Sequence, residues 1–282
     1  MIKDILVHLD GSADDELRLQ HAEAIATASQ GHLTGLFTNP LADLAAFMPL
    51  DARAAGFQVM ADLDEEARRQ GNIIQQRLAE RFSRLSIPNE IRRVDGTPSQ
   101  LADRAASEAR WSDLFVASRP YHGNGSAKWD ELFEAVLFES GRAIYVVPPG
   151  RKPAESIRRI LVAWRDTRET ARAVAEALPF IEKATRTGVL LVDAETGTTD
   201  DKLAPEMDIA RHLDRHGTKI EVHMPERGDR AVSEVILDQA RRISADLVVM
   251  GGYGHSRARE WVVGGATLEV LENSEFPVLM AH

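Results

Sequence analysis

The chain repeats itself at the scale of a domain. KDILVHLD opens the sequence and RRILVAWRD returns near its middle, Ile5 matching Ile160 at an offset of 155. TGLF from Thr34 is answered by TGVLL from Thr187 at an offset of 153. DLFVAS from Asp113 is answered by DLVVMG from Asp246 at 133, and RAIYVV from Arg142 by FPVLMA from Phe276 at 134. Four landmarks in one order make a duplication, and a period of this length constrains the fold before any local propensity is consulted. The fall in offset from 153 to 133 assigns about 20 extra residues to the first half, most simply around PLADLAAFMPLDARAAG, residues 40–56.

Each half alternates short apolar, β-rich runs with longer amphipathic helical ones, which is the pattern of βαβ units around a parallel sheet. In the second half the strands read ILVAW, GVLLVD, KIEVHM, DLVVMG and PVLMA. The intervening segments, TRETARAVAEALPFIEKA, DKLAPEMDIARHLDRHG, AVSEVILDQARRISA and GATLEVLENS, carry apolar residues at helical spacing. DLVVM is apolar on both faces, as a sheet covered by helices on both sides requires. Right-handed crossovers then give an α/β fold of two tandem doubly wound domains. The Pro-rich, polar VPPGRKPAES reads as the linker, so the domains are 1–150 and 151–282.

Composition narrows the function. The 282 residues carry a formal net charge of -10 with acids and bases interspersed, which leaves no basic footprint for nucleic acid or an anionic membrane. There is no cysteine, hence no disulfide, thiolate metal site or cysteine nucleophile. MIKDILVHLD puts acids where a signal peptide needs an apolar core, and no apolar run approaches the roughly 20 residues that span a bilayer, so the sequence reads as cytoplasmic.

The segment GGYGHSRAREWVVGGAT, residues 251–267, leaves one strand and enters a helix at about Gly265. In a doubly wound sheet that is the ligand edge, where helix N-termini aim amide hydrogens at what is bound. It is not a dinucleotide fingerprint, because Arg257 stands where the third glycine belongs and the loop follows the fourth strand rather than the first. It is not a Walker loop, because the chain has no Gly-Lys pair. Gly251 and Gly254 would let backbone approach a phosphate, and Gly264 and Gly265 would present amides at a helix start. His255, Arg257 and Arg259 add positive charge. The competing reading is a tight strand-to-helix connection whose glycines serve backbone geometry alone.

The spacing Gly251, Gly254, Gly264, with ILVxxD at the start of a half, DLVVMG before the loop and a closing PVLM strand, resembles the universal stress protein family over the full length, as two copies. The resemblance implies five-stranded parallel sheets of the adenine-nucleotide α-hydrolase type. It also implies ATP, with or without Mg²⁺, held at Gly251, Gly254, Gly264, Gly265 and Thr267, with Arg257 as charge partner. It further implies pairing of the two domains along their last strands, VVP and VLMA, and a possible homodimer. Two departures stand out. Gly265 occupies the place of the family's hydroxyl residue, leaving Thr267 to replace it, and Arg165 occupies the place of the family's nucleoside-side Asp. The first half keeps that acid in Asp10-Gly11-Ser12, which also reads as a turn and helix cap, but has Ser118 and Tyr121 for Gly251 and Gly254 and acidic Asp130–Leu132 at the helix start. At most one nucleotide per chain, in the second half, is expected.

His212 and His216 have a metal-compatible spacing, but no third ligand is evident and cations suit a last helical turn, so no metal site is assigned. Phe47 and Met48 of the insertion suit a packing helix, a lid or an interface, and DEEARRQ, residues 64–70, reads as a solvated helix face. No serine elbow, HExxH or SGGxDS loop is present, so no catalytic residue is assigned. The alternatives are a scaffold or signalling partner without nucleotide, and a slow ATPase.

Overall fold

The computed structural model of the chain describes residues 1–42, 53–120, 129–192, 204–252 and 265–282. Packing divides it into two compact units, Ile2–Ser140, and Met1 with Gly141–His282.

The first unit runs β1 (Asp4–Leu9), α1 (Asp15–Ser29), β2 (His32–Pro40), α2 (Arg53–Phe82), β3 (Asn89–Gly96), α3 (Pro98–Ala109), β4 (Leu114–Ser118) and α4 (Asp130–Glu139). Its strands lie in the order β3-β2-β1-β4, all parallel. Strand β1 is apolar from Ile5 to Leu9 except for His8, and this stretch is buried because α1 packs on it and its neighbour strands flank it. The helix α2 has 30 residues, and its counterpart in the second unit has 11 among the described residues. Its DEEARRQ stretch is an exposed face on which Arg69 pairs with Glu65 at 2.8 Å and Glu66 at 2.6 Å. Phe47 and Met48 lie outside the described residues.

The second unit runs β5 (Ile144–Val147), β6 (Arg159–Trp164), α5 (Arg168–Ile181), β7 (Arg186–Leu191), α6 (Ala204–Asp214), β8 (Ile220–His223), α7 (Val232–Arg242), β9 (Leu247–Gly251), α8 (Gly265–Asn273) and β10 (Val278–Ala281). Its order is β5-β10-β9-β6-β7-β8. Five strands are parallel, and β5 joins antiparallel to β10, Tyr145 opposite Leu279. The helix α5 packs on β9 and β10 and α7 on β6, which supplies the burial that LVVMG and VLMA demand.

The duplication is visible in the pairing. Ile5 stands opposite Leu114 as Ile160 stands opposite Leu247. Asp113 accepts from the amides of Lys3 at 2.6 Å and Asp4 at 3.1 Å. Asp246 accepts from those of Arg158 at 3.0 Å and Arg159 at 2.9 Å. Each half thus pins the first residues of its leading strand with one carboxylate.

One landmark is corrected by a residue. Leu33, not Thr34, stands opposite Ile5, as Thr187 stands opposite Ile160. A shift of one turns a strand side chain to the other face, and the two glycines of the TG pairs do face different partners. A Cβ on Gly35 would meet the Phe82 ring at 2.5 Å, and one on Gly188 would meet His223 at 3.0 Å. By strand pairing the offset there is 154.

Candidate functional site

In each unit the strand order reverses beside the leading strand, between β1 and β4 in the first and between β6 and β9 in the second. Crossovers leave these strand pairs in opposite directions, which opens a crevice at their carboxyl ends. The two crevices differ in what lines them.

In the second unit β6 ends at Trp164, half-buried, and passes through exposed Arg165 and Asp166 to Thr167, the N-cap of α5, whose hydroxyl accepts from the amide of Thr170 at 3.3 Å. Thr167 caps because its extended backbone leaves the side-chain oxygen free to reach the first-turn amides. The guanidinium of Arg165 has no ion pair or hydrogen bond among the described residues, whereas Arg168 bonds Glu169 at 2.8 Å. Arg168 also donates to His282 Nε2 at 3.3 Å, and His282 Nδ1 in turn donates to the Gly252 carbonyl at 3.0 Å. These assignments put the neutral ring's proton on Nδ1.

Of the residues expected to hold phosphate, Gly251 ends β9 against the first turn of α5. A Cβ there would fall 2.8 Å from both the amide nitrogen and the hydroxyl of Thr170, so close backbone approach alone accounts for the glycine. Gly265 opens α8, exposed, where a Cβ would meet nothing nearer than Glu269 Oε1 at 3.5 Å. Thr267 is half-buried in the first turn of α8. On α8, Glu269 accepts a short hydrogen bond from Ser233 of α7, which ties the two helices together near their amino ends. Gly254, Arg257 and Gly264, with His255 and Arg259, lie outside the described residues, as does Tyr121 in the first half.

The first unit's crevice holds a cluster that the sequence analysis did not anticipate. Asp10 Oδ1 accepts from Arg18 at 2.5 Å and from the Ser12 amide at 3.0 Å, while its Oδ2 accepts from the indole of Trp129 at 2.6 Å. Arg18, 2% exposed, also bonds Asp15 at 2.5 Å and reaches His8 Nδ1 at 3.4 Å. His8 Nε2 then donates to Thr38 at 2.8 Å, and Thr38 to the Leu9 carbonyl at 3.4 Å. The Trp129 and His8 rings meet edge to face, their centres 4.7 Å apart. Burial, and then the Arg18 charge, lower the His8 pKa from 6.5 to about 3, so the ring is neutral. Burial alone would raise Asp10, but Arg18, followed by His8 and the Ser12 bonds, holds it below its ordinary range. Asp15 is raised by burial, only partly offset by Arg18.

The cap expected of Asp10-Gly11-Ser12 is therefore corrected. The turn is present, with Gly11 at φ +83, but the N-cap of α1 is Asp14 and Asp10 is the centre of a buried ion cluster. A signal for it existed in the sequence. Buried residues of α1 fall at 15, 18, 19, 21, 22, 25 and 26, and all but 21 follow one inward stripe, which places a charged Arg18 and Asp15 on it. The offset of 155 carries these positions onto the buried stripe of α5 at 170, 173, 174, 177, 180 and 181. Across the copies His8 becomes Ala163, Asp15 becomes Thr170 and Arg18 becomes Ala173, while the central Asp10 becomes Arg165, so the cluster's ion pairs have no counterpart at these positions of the second half.

Among the described residues no group of three His, Asp or Glu side chains could hold a metal ion. His212 and His216 meet edge to face at 5.1 Å, and His216 bonds Glu182 at 3.2 Å. No described helix is long and apolar enough to cross a membrane.

The fold and its two switch-point crevices define an α/β protein of the doubly wound class, built as a tandem pair. Residues 156–282 match the model of the Universal stress protein family. Over its full length the chain is similar to a universal stress protein from Archaeoglobus fulgidus DSM 4304, at 18% identity, covering 99% of this chain and 96% of that one, with a TM-score of 0.67. It is also similar to a universal stress protein candidate from Pseudomonas aeruginosa UCBPP-PA14, at 17% identity, 99% and 92% coverage and a TM-score of 0.57. A functionally unknown protein from Pseudomonas aeruginosa PAO1 aligns with the same coverage at 16% identity and a TM-score of 0.55. At these identities the likeness is one of fold. No curated protein matches the chain significantly.

Proposed function

We propose that the chain is a cytoplasmic regulatory protein whose second half binds an adenine nucleotide, ATP with or without Mg²⁺, through the loop from Gly251 to Thr267. The observation that carries the reading is the second crevice itself. It carries Ala163, Thr170 and Ala173 where the first half has His8, Asp15 and Arg18, and beside it stands Arg165, which has no ion pair among the described residues. Helix N-termini at Thr167 and Gly265 point amides toward that edge, which favours an anion. Arg165 in place of an acid shifts the expected recognition toward phosphate. Gly254, Arg257 and Gly264 belong to the reading by their spacing in the sequence. Pairing of the two halves along their last strands also belongs to it, as does a homodimer.

The test is thermal unfolding with and without millimolar Mg-ATP, since a ligand at about 100 times its Kd adds roughly 2.7 kcal/mol to the state that binds it. The expected outcome is a rise of several degrees that is lost in Gly254→Val and enlarged in Gly265→Ser, which restores a hydroxyl at the helix start. A protein free of bound nucleotide and unmoved by Mg-ATP would favour the second reading, a scaffold without nucleotide. Two observations support that alternative: Gly251 is explained by its approach to Thr170, and the nucleoside-side acid is absent.

A further inference from the structure

The crevice of the first unit is not simply a site that has lost its loop. Its floor is a carboxylate whose Oδ1 is committed to Arg18 and the Ser12 amide, and whose Oδ2 is left to one further donor. Trp129, the residue before α4, delivers that donor: its indole N–H meets Oδ2 at 2.6 Å and its ring lies edge to face on neutral His8. An in-plane N–H donor, a flat aromatic body and a carboxylate acceptor backed by an imidazole form the recognition set of a heteroaromatic ligand. We infer that the β1/β4 switch point of the first unit is a binding site for a planar heteroaromatic N–H donor, and that its resident occupant is Trp129 of the same chain, an internal ligand that keeps outside ligands out.

Two further features argue for occupancy over ordinary packing. The bond joins residues 119 apart in sequence across the carboxyl ends of β1 and β4, the place where doubly wound sheets take ligands. The cluster beneath is also built without Trp129. Arg18 is held by Asp10, Asp15 and Ser12, and His8 by Thr38, so removing the indole leaves a preformed floor with one acceptor free. The inference stands apart from nucleotide binding in the second half and does not depend on it.

The test uses the full chain with Trp129→Ala. Its melting temperature should fall by several degrees, and millimolar indole should restore most of the loss while leaving the wild type unmoved. Benzofuran, which has the shape of indole without the N–H, should restore little. A folded variant that indole fails to rescue, or that both compounds rescue equally, overturns the inference. A second measurement covers a variant too unstable to purify. The chain has four tryptophans, so a protein keeping only Trp129, with Trp111, Trp164 and Trp261 changed to Phe, is compared with one keeping only Trp111, which is 82% exposed. Acrylamide should quench Trp129 at least twofold more weakly, and equal quenching overturns occupancy.

Discussion

His8 ties the stability of the first unit to pH. In the unfolded chain its ring titrates near 6.5, whereas in the fold burial and Arg18 lower it to about 3. Between those values the unfolded state holds more protons, so stability is full above 6.5 and falls as the pH drops toward 3. Asp10, depressed by Arg18 despite its burial, loses stability in the same direction only below the ordinary carboxylate range. Asp15, raised by burial, works the other way, favouring the fold as acid is added. Of these three groups His8 is the one whose unfolded value, 6.5, opens a loss of stability just below neutral pH. Urea midpoints should fall between pH 7 and pH 5 in the wild type and much less in His8→Gln; equal slopes would place the effect elsewhere. The glycines give a second prediction. Gly251→Ala forces a Cβ into Thr170 and should cost about 1–3 kcal/mol in urea unfolding. Gly265→Ala, with room around it, should be neutral or stabilise by up to about 1 kcal/mol. Sequence spacing made these two glycines look alike, because it carries no information on which backbone will pass 2.8 Å away. Arg18 was hidden for a related reason, since an arginine on an inward stripe looks like an imperfection in amphipathicity until its two carboxylate partners are placed.

At the scale of elements, alternation of short apolar runs with helical spacing was enough to read all five strands and four helices of the second half, and the observed spans agree within a few residues. Long amphipathic segments such as AVSEVILDQARRISA are legible because their burial follows the helix period. Register is less legible. Thr34-Gly35 and Thr187-Gly188 look like one landmark, but strand pairing sets them one residue apart, and only the neighbouring strands carry that information. Helix α5 offers an element-level test. Its single side-chain cap is the Thr167 hydroxyl on the Thr170 amide, so Thr167→Ala should lower stability by about 1 kcal/mol. Thr167→Ser should keep most of it, and equal losses in the two variants would show that the hydroxyl is not what anchors the helix.

At the scale of the whole molecule the two copies keep the same scaffold and differ at their crevices: the first holds ion pairs and an indole, and the equivalent positions of the second carry Ala163, Arg165, Thr170 and Ala173. Calorimetric titration with Mg-ATP should accordingly find one site per chain, abolished by Gly254→Val. Two sites would mean that nucleotide displaces Trp129. The duplication and fold class were open to inspection in the sequence because they rest on repeated apolar patterns. The filling of the first crevice was not, because Trp129 meets Asp10 only after the chain has wound through three crossovers. The strand β5 carries a consequence for anyone who cuts this chain. The family match begins at residue 156, and a fragment drawn to that boundary would leave β5 behind. Its last strand, VLMA, buried throughout, would then present a bare row of backbone donors and acceptors where Ile144–Val147 had lain. Such a piece would be prone to self-association, whereas the compact unit that keeps VLMA covered takes in the chain from Gly141.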